Sequence, residues 1–167
     1  MFRLTVCRSP IGPLTVAARA DRLVLVRFGD EREWAERFLQ RQEPAAAIVD
    51  HRDPAGAISA LDRYFAGDLN VLDDLEVDFY GSEFQRRVWT ALRSVGAGRT
   101  ASYTDIANAI GAPAAVRAVG AANGANPIAI VVPCHRIIGT SGALVGYGGG
   151  LDRKRWLLEH EGVLLKM

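Results

Sequence analysis

Ser102-Tyr103-Thr104-Asp105-Ile106-Ala107-Asn108-Ala109-Ile110-Gly111-Ala112-Pro113-Ala114-Ala115-Val116-Arg117-Ala118-Val119-Gly120-Ala121-Ala122-Asn123 is the stretch on which the reading of this chain turns. Ser102 and Asp105 stand three apart, the spacing at which a side chain and a backbone N–H cap each other at a helix start. Ile106, Ala107 and Ile110 then form a stripe for burial, and Gly111 closes the helix. Pro113 opens a second helix over 114–123. Two short helices joined by Gly-Ala-Pro spell a helix-turn-helix, which serves either as a packing unit or as a reader of DNA. The second helix is almost bald, with Ala114, Ala115, Ala118, Gly120, Ala121 and Ala122 and a single charge, Arg117. Such a surface permits close approach, with one guanidinium projecting from it.

Upstream, Ser82 and Gln85 make another capping box ahead of Phe84, Val88 and Leu92, and Gly96-Ala97-Gly98 reads as a loop. Downstream, Ile128–Val132 is an apolar run that predicts a buried strand ending in Pro133-Cys134-His135-Arg136. A thiol beside an imidazole and a guanidinium has surroundings that favour the thiolate, although adjacent residues need not touch and a core cysteine fits the same letters. Cys7 lies in a strand with nothing catalytic nearby. Gly146-Tyr147-Gly148-Gly149-Gly150 has neither the Lys-Ser/Thr of a phosphate loop nor dinucleotide spacing, which excludes nucleotide binding. It suits backbone N–H groups left bare near a substrate oxygen, with a ring to stack on. Asp152 is expected to cap a last helix carrying Trp156, Leu157 and Leu158. That helix ends in Glu159-His160-Glu161-Gly162, where a carboxylate is electrostatically misplaced unless something such as a histidine compensates it.

The first half reads differently. Phe2-Leu4-Val6 alternates, Leu14–Ala17 and Leu23–Phe28 are β-rich, and Ser9-Pro10-Ile11-Gly12-Pro13 and Asp21-Arg22 are turns. A helix with Trp34 and Phe38 one turn apart follows. Asp53-Pro54 starts another, with Ile58, Leu61 and Phe65 at helical spacing up to Gly67, and Val77 and Phe79 suggest one more strand. The expected fold is α+β: a small N-terminal α/β domain of strands plus helices over 1–78, then a mostly helical C-terminal domain containing the helix-turn-helix over 79–167. With 167 residues, 49% hydrophobic and 23% charged, the chain has room for one or two small cores and is too apolar for disorder. No run of about 18 apolar residues suggests a membrane span. Met1-Phe2-Arg3-Leu4-Thr5 does not resemble a signal peptide, and two distant cysteines argue against both disulfides and structural zinc, so a cytoplasmic protein without metal is expected. The net charge of +1 divides unevenly. Residues 1–78 carry 10 Arg plus Lys against 14 Asp plus Glu, and residues 79–167 carry 10 against 5. A net of −4 beside a net of +5 is either scatter or a basic working half that meets a polyanion.

Seven motifs run in order along the second half: Gly81-Ser82-x-Phe84-Gln85-x-x-Val88-Trp89-x-Ala91-Leu92, Ser102-Tyr103-x-x-Ile106-Ala107, Arg117-Ala118-Val119-Gly120, Asn126-Pro127-Ile128, Pro133-Cys134-His135-Arg136, Gly146-Tyr147-x-Gly149-Gly150 and Leu157-Leu158-x-x-Glu161. In these motifs the second half resembles the O6-alkylguanine-DNA alkyltransferases. Weaker matches fall at Ser9–Leu14 and Tyr64-Phe65-x-Gly67.

The resemblance implies a protein that takes an alkyl group from O6-alkylguanine, and from O4-alkylthymine, in duplex DNA onto Cys134, once per molecule and without a cofactor. Glu161 would hold His135, which takes the Cys134 proton through a water, and Asn126 would tie the recognition helix to the active-site turn. Tyr103 would press on a phosphate and donate to the guanine edge. Arg117 would fill the gap left by the flipped base, and Ala118 and Gly120 would let the helix backbone approach the minor groove. Arg136 is expected among the residues facing substrate or DNA. The carbonyls of Cys134 and Ile137 would accept from the exocyclic amine, Tyr147 would wall the pocket, and the N–H of Gly148 would meet the leaving oxygen. The expected partner is double-stranded DNA carrying the lesion, bound by a monomer that clusters on DNA in the cytoplasmic nucleoid. The competing readings are a lesion sensor that transfers nothing, a helix-turn-helix regulator, and a cysteine hydrolase.

Overall fold

The computed structural model describes residues 1–163. The chain folds into two compact units, one of residues 1–80 with 127–131, the other of residues 81–126 with 132 onward.

In the first unit, β1 (Phe2–Cys7), β2 (Leu14–Arg19), β3 (Arg22–Phe28) and β4 (Ile48–Asp50) form one sheet in the order β3-β2-β1-β4. The three leading strands meander antiparallel, and β4 adds parallel to β1 with Phe2 opposite Ile48. β2 is buried from Leu14 to Ala18, so both faces of the sheet are covered there. This accounts for a near-continuous apolar run in place of a clean alternation. Helix α1 (Arg32–Gln42) buries Ala35 and Leu39 against Phe2, Leu4, Ala17, Val24 and Leu25. Trp34 and Phe38, expected one turn apart, stack at 5.3 Å. Buried Thr15 links sheet and helix: its hydroxyl donates to the Gly29 carbonyl at 2.8 Å and accepts from the Glu31 N–H at 2.9 Å. Asp53 does cap, but it reaches across a 3₁₀ turn (Pro54–Gly56) to the N–H of Ile58 at 2.7 Å, at the start of α2 (Ala57–Phe65).

The free edge of β3 is closed by two short segments. Residues 76–78 bond Leu23 on both sides, at 2.9 Å each, and residues 127–129 bond Val26, at 3.0 Å each. Two expectations are corrected here. Val77–Phe79 contributes a single bridge in place of a strand. Ile128–Val132 is buried throughout, yet only Ile128 bridges; the chain then turns, with Ile130 at φ +71°. Burial makes the run apolar whatever its backbone does, so composition alone could not tell strand from buried turn. A β-branched residue in the left-handed region costs about 1–2 kcal/mol, which the surrounding packing must offset.

The second unit is mostly helical: α3 (Glu83–Leu92), β5 (Ala101–Ser102), α4 (Tyr103–Ala109), α5 (Val116–Gly124), β6 (Ile137–Ile138) and α6 (Leu151–His160). Both capping boxes form, Ser82 with Gln85 and Ser102 with Asp105. Trp89 ties α3 to α5 by donating its indole N–H to the Ala122 carbonyl at 2.8 Å. Gly81 is glycine for packing reasons, since a Cβ there would fall 2.5 Å from the Trp89 ring. α4 and α5 are the expected helix pair, although α5 starts two residues later than Pro113 suggested, with no side-chain cap. Its buried side is Val119, Ala122 and Asn123, and its exposed side is Arg117, Ala118 and Ala121. Asp152 does not cap α6: Gly150 takes that position at φ +90°, and Asp152 sits in the first turn, where a carboxylate favours the helix dipole.

Candidate active site

Cys134 opens a 3₁₀ turn (Cys134–Arg136) between the Ile130 bend and β6, and is only 7% exposed. Asn126, two residues beyond α5, donates from one amide nitrogen to the Val132 carbonyl at 2.8 Å and to the Cys134 Sγ at 3.1 Å. The end of the exposed helix is thereby fastened to the thiol itself. Burial pushes the Cys134 thiol up; hydrogen bonds from Asn126 and Tyr147 and the charge of Lys154 pull it down without overcoming burial. The expectation that its neighbours favour the thiolate is therefore corrected for the closed pocket: desolvation wins, and the group rests as a thiol at neutral pH.

His135 is completely buried. Burial lowers its pKa, with Glu161 opposing, so the ring is neutral at neutral pH. Its Nε2 lies 3.0 Å from Glu161 Oε2. A neutral imidazole facing a carboxylate donates from that nitrogen, which leaves Nδ1 as the acceptor. Nδ1 is buried with no hydrogen-bond partner among the described residues, an acceptor suited to one water. Glu161, at the C-cap of α6, is 3% exposed. Burial alone would push its carboxyl up; hydrogen bonds from Arg136 and His135 outweigh that and hold it well below the usual carboxylate range.

Arg136 is the main correction among the expected site residues. It is 4% exposed and turned inward. Nε donates to Glu161 Oε1 at 2.9 Å, Nη2 to Oε2 at 2.8 Å, and Nη1 to the Val95 carbonyl at 2.6 Å. A planar fork matched to a carboxylate is the reason, and it makes Arg136 a support for Glu161 and leaves it no face for DNA. The Gly96-Ala97-Gly98 loop meets the same residue: Gly98, at φ +83°, would place a Cβ 3.3 Å from the Glu161 carbonyl.

Tyr103, first residue of α4, is half-buried. Burial and then the charge of a Cys134 thiolate raise its pKa, so it stays a donor. Gly120 faces its ring, with a Cβ there in ordinary contact at 3.8 Å. Gly148 is exposed and lies by the end of α5, a Cβ there meeting the Gly124 carbonyl at 4.0 Å. Ile137 is buried in β6, and Tyr147 stands beside the thiol. Arg117 and Ala118 are exposed on α5. Asn126, Tyr103 and Tyr147 thus stand by Cys134, while Arg117 and Ala118 belong to the outer helix face.

The description 6-O-methylguanine DNA methyltransferase, DNA binding domain, fits residues 83–163, and its companion, the ribonuclease-like domain, fits residues 2–79. The chain belongs to the 6-O-methylguanine DNA methyltransferase family. Among curated methyltransferases, the methylated-DNA–protein-cysteine methyltransferase of Mycolicibacterium paratuberculosis is 54% identical over 153 residues, covering 92% of this chain and 88% of that one. The Salmonella typhimurium protein of the same name is 47% identical over 160 residues, covering 94% of each. Among solved methyltransferase structures, that of Mycobacterium tuberculosis OGT in complex with DNA aligns with a TM-score of 0.78 at 46% identity, over 96% of this chain and 91% of that one.

Sequence reading missed one buried residue of this candidate site. Lys154 is fully buried on α6, and its Nζ donates to the carbonyls of Ile137, Val145 (2.7 Å) and Gly146 (3.5 Å). The signal was its place in the stripe 154, 157, 158, 161, where a lysine falls among positions meant for burial.

Proposed function

We propose that this protein repairs alkylated DNA by moving the alkyl group from O6-alkylguanine, and from O4-alkylthymine, onto Cys134, irreversibly and once per molecule. The observation that carries this reading is the Asn126 bridge: one amide joins the exposed end of α5 to the sulfur that reacts. Duplex DNA is the partner. The Ala118–Ala121 face of α5, with no long side chain except Arg117, suits a minor groove, and Gly120 keeps the backbone close. Cys134 is buried, so the lesion must leave the stack to reach it, and Arg117 fills the space the base vacates. The protein acts as a monomer in the compartment that holds the DNA, the cytoplasm. The first unit serves as structural support.

The reaction is a displacement at carbon. His135 Nδ1 takes the Cys134 proton through a water, and Glu161 steadies the imidazolium. The sulfur attacks the alkyl carbon, a C–S bond forms, and the electron pair of the breaking C–O6 bond passes to guanine. Tyr103 and the Gly148 N–H meet the charge that develops there, and the proton held by His135 reaches the released guanine through solvent. The carbonyls of Cys134 and Ile137 accept from the exocyclic amine, and Tyr147 closes the wall.

Intact and peptide mass spectrometry after incubation with a short duplex holding one O6-methylguanine tests this. One hydrogen should be replaced by one methyl on the Cys134 peptide, never exceeding one per protein. Cys134→Ala should keep binding and lose transfer. A duplex that binds while Cys134 stays free would make the protein a sensor or regulator. Repeated turnover of a soluble ester would make it a hydrolase.

A further inference from the structure

Asn123 Oδ1 is buried without a hydrogen-bond partner among the described residues, as His135 Nδ1 is, but the reaction proposed for Cys134 gives it no task. Asn123 is 5% exposed and lies on the buried side of α5. An acceptor kept dry and unpaired costs stability that an apolar side chain in the same place would not, so its presence calls for a reason. Its neighbours along the helix indicate where it faces. Gly120, one turn earlier, lies against the Tyr103 ring. Helix side chains lean toward the N-terminus, so the Asn123 amide leans over the bare Gly120 in the direction of that ring. The carbonyl of Gly124, the next residue, borders Gly148, and Asn126, one turn later, reaches the Cys134 sulfur. The amide is thus bracketed by contacts to Tyr103, Gly148 and Cys134, three groups that the transfer reading sets around the base.

We propose that Asn123 is a specificity-determining residue that lets one pocket take both lesions: its amide accepts from the exocyclic amine of O6-alkylguanine and, after a half-turn, donates to the O2 carbonyl of O4-alkylthymine. The proposal deepens the transfer reading of Cys134 and rests on it. The two bases match at the alkylated oxygen and at the ring nitrogen beside it, N1 in guanine and N3 in thymine, both acceptors. They differ at the next position, where guanine carries an amine and thymine a carbonyl. The Cys134 and Ile137 carbonyls suit the amine, but against O2 they set acceptor against acceptor, and a donor must offset the repulsion. Other donors near the sulfur are committed: Tyr103 and the Gly148 N–H to the leaving oxygen, the Asn126 amide nitrogen to Val132 and Cys134. The Asn123 oxygen has no internal hydrogen bond to lose. A side-chain amide carries an acceptor at one end and a donor at the other, and rotation about its last bond exchanges them. With guanine in place, three acceptors share the two amine hydrogens, so the amide adds little. With thymine in place it supplies the donor that O2 needs.

The test measures the rate of methyl transfer to the Cys134 peptide, by mass spectrometry, from duplexes holding one O6-methylguanine or one O4-methylthymine, for the wild type, Asn123→Leu and Asn123→Ala. Both variants should lose transfer from thymine by about tenfold or more, the scale of a buried polar group left unpaired, and keep transfer from guanine within about threefold. Asn123→Leu should also raise the denaturant midpoint, because apolar atoms replace an unpaired oxygen. Equal losses with both lesions, or no loss with either, overturn the proposal. So does a thymine rate that Asn123→Leu lowers and Asn123→Ala restores, which would make bulk the cause. Should neither variant fold, NMR of the Asn123 side-chain amide decides the matter in Cys134→Ala bound to each duplex. Its protons should move downfield with the thymine lesion relative to the guanine lesion, and the same spectrum with both overturns the proposal. Wild type that takes methyl from guanine and none from thymine overturns the proposal while guanine repair stands. Wild type that takes methyl from neither refutes the repair reading itself.

Discussion

Glu161 bonds His135 through one oxygen and Arg136 through both, and acid sensitivity follows from that arrangement. A carboxylate held below its usual range contributes stability that is present above the unfolded value near 4.5 and lost as pH falls through it toward the folded one. His135 acts earlier on the same scale. Its folded pKa lies below 6.5, so under that pH the unfolded chain takes a proton that the folded one refuses, and stability drops. Denaturant midpoints should therefore fall from pH 7.5 to 5.5, and again toward pH 4. Glu161→Gln leaves Arg136 buried without its counter-ion, a loss on the order of 3 kcal/mol at pH 7.5, and should flatten the part of the curve below 4.5. A Gln variant with the wild-type acid slope would place the titration elsewhere. Cys134, His135 and Glu161 were legible in the sequence because each is a reactive or misplaced type at a marked position. Arg136 and Lys154 were not, because nothing in the letters says whether a cation points out to a polyanion or in toward carbonyls and a carboxylate.

The two sides of α5 obey different constraints, and one substitution separates them. Within the protein, Gly120 has room for a methyl group, since a Cβ meets the Tyr103 ring at an ordinary 3.8 Å. Gly120→Ala should thus fold with unchanged or slightly raised stability, alanine being the better helix former by about 1 kcal/mol. If the groove needs the bare backbone, the same variant binds duplex DNA more weakly. Arg117→Ala should slow transfer from duplex far more than transfer from free O6-methylguanine base. Equal losses with both substrates would contradict its role in the base stack. The helices were legible because caps and stripes are local: Ser82 with Gln85 and Ser102 with Asp105 need only their own turn. The Ile128–Val132 segment misled because its apolar character comes from residues distant in sequence, and its bend at Ile130 has no local turn signature.

At the scale of the whole chain, the change of character near residue 80 was visible in charge and pattern. The excursion of 127–131 was not, since hydrogen bonds to Val26 are made by backbone atoms that carry no sequence label. That excursion bears on the order in which the protein is made. Synthesis delivers the strands of the first unit early, but the segment that finishes the β3 edge lies beyond the intervening residues 81–126. At about 5–20 residues per second the edge stays open for roughly 2–9 s on the ribosome. An open edge is a template for pairing with another chain. A fragment ending at Tyr80 should accordingly be less stable than the same residues in the full protein and associate at concentrations where the full protein does not, as sedimentation would show. A fragment that stays monomeric would mean residues 76–78 protect the edge unaided. Nascent chains of this protein thus have a vulnerable interval set by ribosome speed, so slower translation across 81–126 would raise the burden on chaperones without altering any residue of the finished molecule.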